Sequence, residues 1–208
     1  MKKLFIALAA LVVSVSAFAQ SGIIAGVTSS ATDIKDAADK VTDITLYHVG
    51  VTRRISLGLI GVQPSLIYNV KGTRLEDFDS KSISFKTGFL ELPVQIQAGL
   101  PLGSFRPYVF VEPFVGYAIT NSANGENSSL QDKLQSVKWD NIKNRLEYGT
   151  GLGAGIDLFD RLQISLRYFW NLGELYDGAE LSDYINAGKT AMQNEKCSGI
   201  MASVAIFL

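Results

Sequence analysis

Between Leu146 and Leu158 the chain alternates with a period of two. One parity carries Leu146, Tyr148, Thr150, Leu152, Ala154, Ile156 and Leu158; the other carries Glu147, Gly149, Gly151, Gly153, Gly155 and Asp157. Successive side chains of a strand point to opposite faces, so this is a strand with one continuous apolar face and one nearly bare face. The same alternation recurs. Leu162, Ile164, Leu166, Tyr168 and Trp170 oppose Gln163, Ser165, Arg167 and Phe169. Ile60, Val62, Pro64, Leu66, Tyr68 and Val70 oppose Gly61, Gln63, Ser65, Ile67 and Asn69. Leu90, Leu92, Val94, Ile96 and Ala98 oppose Phe89, Glu91, Pro93, Gln95, Gln97 and Gly99.

Eight strands are expected, at 21–28, 45–52, 57–70, 85–99, 106–119, 145–158, 162–172 and 198–208. Most exceed the 5–6 residues usual in globular sheets and reach the ~9–11 needed to cross a bilayer at a tilt. Tight connections are expected around Arg53–Ser56, Pro101–Phe105 and Phe159–Arg161. Long polar ones are expected at 29–44, 71–84, 120–144 and 173–197, with short helices over 129–143 and 179–193. A soluble sandwich or lipocalin-type barrel would also alternate, with its apolar face inward. Three features select the membrane version. Glycines crowd the non-apolar face, as a narrow interior requires. Tyr47, Tyr68, Tyr148, Tyr168 and Trp170 sit near strand ends, where interfacial girdles belong. The chain finishes on a strand with Ile200, Val204, Ile206 and Leu208 on one face, although its aromatic Phe207 is penultimate rather than last. The expected fold is all-β: an eight-stranded antiparallel transmembrane barrel with short periplasmic turns and four long outer loops.

The N-terminus agrees. Lys2 and Lys3 precede an apolar run from Leu4 to Val15 and an Ala17-Phe18-Ala19 site, the pattern of a secretory signal peptide. The run is too short for a spanning helix. The expected organisation is a signal peptide over residues 1–19 and a barrel domain over 20–208. Removing Lys2 and Lys3 leaves 17 basic against 20 acidic residues, which argues against a nucleic-acid partner. One Cys and one His exclude a disulfide framework, a Cys-rich zinc site and a multi-histidine metal centre. No cofactor is expected.

In this order the chain also carries Gly61-Val62-Gln63-Pro64-Ser65-Leu66-Ile67-Tyr68-Asn69-Val70-Lys71-Gly72, Leu90-Glu91-Leu92-Pro93, and Pro107-Tyr108-Val109-Phe110-Val111-Glu112-Pro113-Phe114-Val115-Gly116-Tyr117. Tyr148-Gly149-Thr150-Gly151-Leu152-Gly153-Ala154-Gly155-Ile156 follows, then Ser165-Leu166-Arg167-Tyr168. These segments resemble the PorT-like outer-membrane β-barrel proteins of the Bacteroidetes. The resemblance spans most of the mature chain. It implies the barrel fold more specifically than any task, although the namesake branch is associated with protein secretion.

Candidate chemistry is sparse. The 149–155 glycines read G-x-G-x-G-x-G rather than G-x-G-x-x-G, and no helix follows, so they relieve crowding and do not cradle phosphate. His48 falls on the inward face near an outer loop. A hydrolase could use it as general base beside a Ser and an acid, but no spacing specifies that set. Glu91, Glu112, Glu147 and Arg167 share the interior as an ionic cluster. Arg167 is expected to pair with Glu147 on the neighbouring strand, with Glu91 and Glu112 close by. Eight strands leave an interior just filled by side chains, so the cluster reads as a plug; with its excess of acids, the alternative is a cation-leaning path. Loop acids at Asp33, Asp36, Asp39, Asp43, Glu76, Asp77, Asp79, Glu174, Asp177, Glu180 and Asp183 show no EF-hand spacing.

The sequence therefore predicts a non-enzymatic protein of the cell outer membrane with a structural or interaction role at the surface. A narrow cation-leaning channel for small solutes, or a secretion-complex component, is the alternative. The expected partners are outer-membrane lipid and lipopolysaccharide, the barrel assembly machinery during biogenesis, and a protein of a secretion or envelope complex.

Overall fold

The computed structural model describes residues 19–32, 41–42, 44–76, 82–125, 145–172 and 197–208. They form β1 (Ala19–Thr32), β2 (Val41–Thr42), β3 (Ile44–Leu57), β4 (Ile60–Glu76), β5 (Ser82–Gly99), β6 (Phe105–Gly125), β7 (Leu146–Leu158), β8 (Leu162–Asn171) and β9 (Cys197–Phe207). The two residues of β2 pair with Arg74 and Leu75 of β4, beside the ladder that β4 makes with β3. They therefore extend one stave, and the barrel has eight. Each strand is antiparallel to its sequence neighbour, and β9 closes the ring on β1, from Gly22 opposite Phe207 to Thr32 opposite Cys197. Closure leaves no unpaired sheet edge in the lipid, the condition for a strand structure to span a membrane.

The ring closes with a stagger. Stepping across the ladders from Gly22 through Thr52, Ser65, Phe114 and Gly149 leads back to β1 at Thr32, ten residues further on. Such a shear tilts the strands by about 35–45° and leaves an interior of side-chain width.

Parity decides the faces as the sequence predicts. Val51, Val109 and Leu166 point out, 53%, 61% and 56% exposed, whereas Gln63, Glu91, Glu147 and Gln163 point in and are at most 1% exposed. At one level of the outer face, Tyr47 and Tyr68 lie 6.4 Å apart and Tyr168 and Trp170 4.8 Å apart, an aromatic girdle towards the long-loop end. Phe207 turns inward and is buried under the Arg54 guanidinium, 4.4 Å from the ring centroid. Leu208 points out, and its amide donates to the Ser21 carbonyl at 2.9 Å. The penultimate aromatic is thus an interior residue.

The connections differ from expectation in two ways. Arg53–Ser56 belongs to β3, and the tight turn lies at Gly58-Leu59, where Leu57 pairs with Ile60 and Gly58 has φ 71°. Glycine at the first central position is what a type II′ hairpin demands; Gly103 plays the same part before β6 with φ 71°. The third turn places Phe159 and Asp160 at φ 53° and 56° without glycine. The strands also run past the apolar segments: β4 and β5 stay paired to Glu76 and Ser82, and β5 and β6 to Ile83 and Gly125. Parts of 71–84 and 120–144 expected as loop are therefore strand. Backbone pairing needs no apolar face, so polar extensions beyond the bilayer carry no hydrophobic signal. The helices expected over 129–143 and 179–193 lie outside the described residues.

The glycines of β7 form a trough. A Cβ at Gly149 would lie 2.5 Å from the Phe114 ring, at Gly153 2.3 Å from Phe110, and at Gly155 2.4 Å from the Tyr108 hydroxyl. The inward aromatics of β6 therefore lie across the bare face of their neighbour, an arrangement that fills a barrel without voids. Replacing Gly153 by Val should cost about 1–3 kcal/mol by overpacking, because the Leu166 carbonyl blocks retreat at 2.4 Å. Urea refolding read by the heat-modifiable gel shift would measure it. Replacing Phe159-Asp160 by Asn-Gly should stabilise by about 1 kcal/mol in the same assay, since both new residues accept positive φ.

Candidate functional site

The interior is a stack of polar tiers. At the tight-turn end, Asp157 Oδ2 accepts from Arg54 Nη1 at 3.0 Å and from Arg106 Nη1 at 2.9 Å. Arg54 Nη2 also donates to Gln20 Oε1 and to the Asp160 carbonyl. Above it, Gln63 of β4 and Gln163 of β8 meet across the lumen and exchange amide hydrogen bonds of 2.8 and 3.0 Å. Gln97 Nε2 donates to Gln63 Oε1 and Gln95 Oε1, and its own oxygen accepts from Arg106. Gln163 Nε2 reaches Asp157 Oδ1 at 2.8 Å, which ties the amides to the ionic tier. These bonds give most of the buried polar groups of the two tiers the partner that desolvation demands, while Arg106 Nε and Nη2 have none.

The next tier holds Arg167 of β8, paired with Glu112 of β6 across β7 and packed against Met201 Sδ. Gly151 makes the crossing possible, since a Cβ there would lie 3.0 Å from Arg167 Cδ. His48 lies nearby, 1% exposed. Its Nε2 is 2.9 Å from Ser203 Oγ and its Nδ1 3.1 Å from Thr28 Oγ1. Thr28 donates to Asn69 Oδ1 at 2.9 Å, and Asn69 donates to Glu91 Oε1 at 3.0 Å.

Towards the loop end, Lys71 lies buried in the lumen. Its Nζ lies 2.7 Å from Glu91 Oε1 and 3.0 and 3.1 Å from the two Glu147 oxygens. The rings of Phe114, Phe169 and Phe89 surround the ammonium, with centroids at 4.7, 4.8 and 5.4 Å. Asn171 Nδ2 donates to Glu147 Oε2 at 2.9 Å. Cation–π contact and two carboxylates together replace the hydration that a buried ammonium loses.

Glu91, Glu112, Glu147 and Arg167 all point inward, but their pairing differs from the expected one. Arg167 binds Glu112, and Glu147 binds Lys71. Register is the reason: Arg167 stands opposite Gly153, about 20 Å along β7 from Glu147 at 3.3–3.4 Å per residue. The excess of acids also disappears. Arg54, Lys71, Arg106 and Arg167 balance Glu91, Glu112, Glu147 and Asp157 among the described buried residues. Lys71 was legible in principle, because it continues the inward parity of Gln63, Ser65, Ile67 and Asn69; the end of the apolar run at Val70 hid it. Arg54, Arg106 and Asp157 share inward parity with expected interior residues, but only closure brings their three strands together.

The outer-membrane protein beta-barrel domain model matches residues 18–177. The chain belongs to this outer-membrane β-barrel family. It resides in the cell outer membrane. No curated protein matches it. Among solved structures this family member is similar to the outer membrane protein OprG of Pseudomonas aeruginosa, at 11% identity and a TM-score of 0.47 over 91% of each chain. It is also similar to neisserial surface protein A, at 9% identity and a TM-score of 0.44 over 90% of this chain and 97% of that one. Ail, the attachment invasion locus protein of Yersinia pestis, matches at 11% identity and a TM-score of 0.43, over 92% of this chain and all of the other.

Replacing Lys71 by Met strands two buried carboxylates and should cost about 3–5 kcal/mol, whereas Lys71→Met with Glu91→Gln and Glu147→Gln should recover most of that loss. Urea unfolding of the single and triple variants in detergent would measure both.

Proposed function

We propose that this protein is a closed, non-enzymatic barrel whose interior is a structural plug and whose interactions are made at the cell surface. The observation that carries this reading is the filling of the lumen at three heights by bonded side chains: Lys71 of β4 with Glu91 of β5 and Glu147 of β7, Arg167 of β8 with Glu112 of β6, and Gln63 of β4 with Gln163 on the opposite wall. Buried ion pairs are costly to break by loss of one partner, so each tier resists the fluctuation a passing solute requires. The equal numbers of buried cations and acids among the described residues support a plug over a cation-leaning path. His48, bonded at both ring nitrogens and buried, acts as a cross-link between β1, β3 and β9.

Within the family, the segments from Gly61 to Gly72, Pro107 to Tyr117 and Tyr148 to Ile156 support a place near the PorT-like barrels. On this reading the protein works beside other envelope proteins in a secretion or surface complex, with lipopolysaccharide around its outer girdle and the barrel assembly machinery inserting it.

Planar-bilayer recording of the refolded protein should be silent, and the double variant Lys71→Ala with Arg167→Ala should give small reproducible current steps. Steps from the unaltered protein, with heat-modifiability confirming its fold, would overturn the plug.

A further inference from the structure

Three prolines interrupt the sheet on one side of the barrel. The β3–β4 ladder passes from Thr52 opposite Ser65 to Ile55 opposite Val62, skipping the rows of Pro64 and Gln63. The β4–β5 ladder passes from Pro64 opposite Val94 to Ile67 opposite Glu91, skipping Pro93 and Leu92. The β5–β6 ladder passes from Pro93 opposite Phe114 to Ile96 opposite Val111, skipping Pro113 and Glu112. Each proline turns its nitrogen, which carries no hydrogen, into the gap beside it. Strand parity fixes these directions. The Gly99 amide donates towards β4, to the Leu59 carbonyl, and Pro93 stands six residues before it. The Pro107 carbonyl accepts from Leu100 on the β5 side, and Pro113 stands six residues beyond. Ile60 faces Leu57 of β3 at the hairpin, and Pro64 stands four residues on. The carbonyls of Arg53, Ser65 and Val94 therefore lose the ladder donor that any other residue would supply.

The three gaps lie side by side at mid-height. Pro64 is four residues from Ile60 at the turn and four from Tyr68 in the girdle, so the belt lies within the lipid-facing band. A backbone group left unpaired in hydrocarbon is costly, and prolines in central strands are avoided for that reason. The opposite wall carries no such defect. The ladders β7–β8, β8–β9, β9–β1 and β1–β3 run without a skipped row. The β6–β7 ladder runs through Pro107 and Pro113, because their nitrogens face the other way. Behind the belt the lumen holds the neutral amides of Gln63, Gln95 and Gln97, bonded to one another at 2.8 and 2.9 Å. Neutral hydrogen bonds are about half as strong as charge-assisted ones, so the amides yield before the ion pairs. Towards the tight turns lies a cavity of about 270 Å³, lined by Gln20, Arg54, Ser56, Arg106, Asp157 and Asp160. Arg54 belongs both to its wall and to the skipped row of Gln63.

We propose that the β3–β6 wall parts at this proline belt and makes a lateral port between the bilayer and the turn-end half of the lumen. The port admits apolar or amphipathic molecules dissolved in the membrane, because it faces hydrocarbon on one side and amides on the other. The strands separate where three ladder bonds are missing, and the unbroken wall from β7 round to β3 holds the barrel together. Lys71 with its two carboxylates lies on the loop side of the port, so axial passage stays blocked when the wall parts. The port adds a sideways path to the plugged barrel. The two readings fail separately, the plug in conductance and the port in access from lipid.

Thiol labelling of the full refolded barrel in phosphatidylcholine nanodiscs tests the port, with Cys197, the only cysteine, replaced by Ser. Ser65→Cys places an inward thiol behind the belt, and Ser165→Cys places one on the unbroken wall; both positions are buried. Lipid-dissolved N-pyrenylmaleimide should label Ser65→Cys at least about tenfold faster than Ser165→Cys, in the ratio of their open populations. Adding Pro64→Val, Pro93→Val and Pro113→Val restores the three donors and should lower that rate to the Ser165→Cys level. The heat-modifiable gel shift verifies folding of the triple variant, and Pro93→Val alone should give a partial decrease. A membrane-impermeant charged methanethiosulfonate should label Ser65→Cys no faster than Ser165→Cys. Equal pyrene rates at the two sites, a rate that the valines leave unchanged, or equally strong discrimination by the charged reagent would overturn the port.

Discussion

Closure of eight strands with a ten-residue stagger sets an interior about as wide as two facing side chains. Everything else in the molecule answers to that width. An inward side chain that is too large collides with the opposite wall, and a polar one that finds no partner carries the full penalty of desolvation. The barrel meets the first demand with glycines on β7, over which Tyr108, Phe110 and Phe114 of β6 lie. It meets the second with pairs that reach across the lumen and not along one strand.

The two demands are connected. Arg167 reaches Glu112 only because Gly151 stands between them without a side chain, and Lys71 reaches Glu147 within a ring of phenylalanines for which Gly149 leaves room. A narrow lumen therefore makes its ionic contacts long-range in sequence and short-range in space. Those contacts are effective because the rings and the wall exclude water from them, which raises the strength of each charge pair and the cost of losing one partner. At the tight-turn end Arg106 keeps two unpartnered nitrogens packed beside two glycines, and the stack of tiers gives way to a cavity.

Alternation from Leu146 to Leu158 and its repeats determined, without any structure, that the chain is made of strands with one apolar and one small or polar face. Strand length and girdle aromatics placed that apolar face in lipid, and parity placed Glu91, Glu112, Glu147 and Arg167 inside. These properties are local: each depends only on the two-residue period of a strand and on neighbouring residues. Turn position was less legible, because Gly58 and Gly103 are conspicuous only once the hairpin register requires positive φ. Strand ends beyond the bilayer were illegible for a related reason, since ladder hydrogen bonds leave no mark on side-chain polarity.

Which interior charges meet was decided by tertiary structure alone. Arg167 pairs with Glu112 and not Glu147 because the β7–β8 register sets it opposite Gly153. Lys71, on β4, finds Glu147, on β7, only after the ring has closed. Partner choice across a barrel depends on shear, a property of the whole circuit of strands that no single segment contains. The sequence by itself thus determined the faces of the strands whose alternation is clear, and the membrane they suit. Register and closure determined the pairs: register sets Arg167 within reach of Glu112 across β7, and closure brings β4 to β7 and β8, because opposite walls come within hydrogen-bonding distance only in the closed ring.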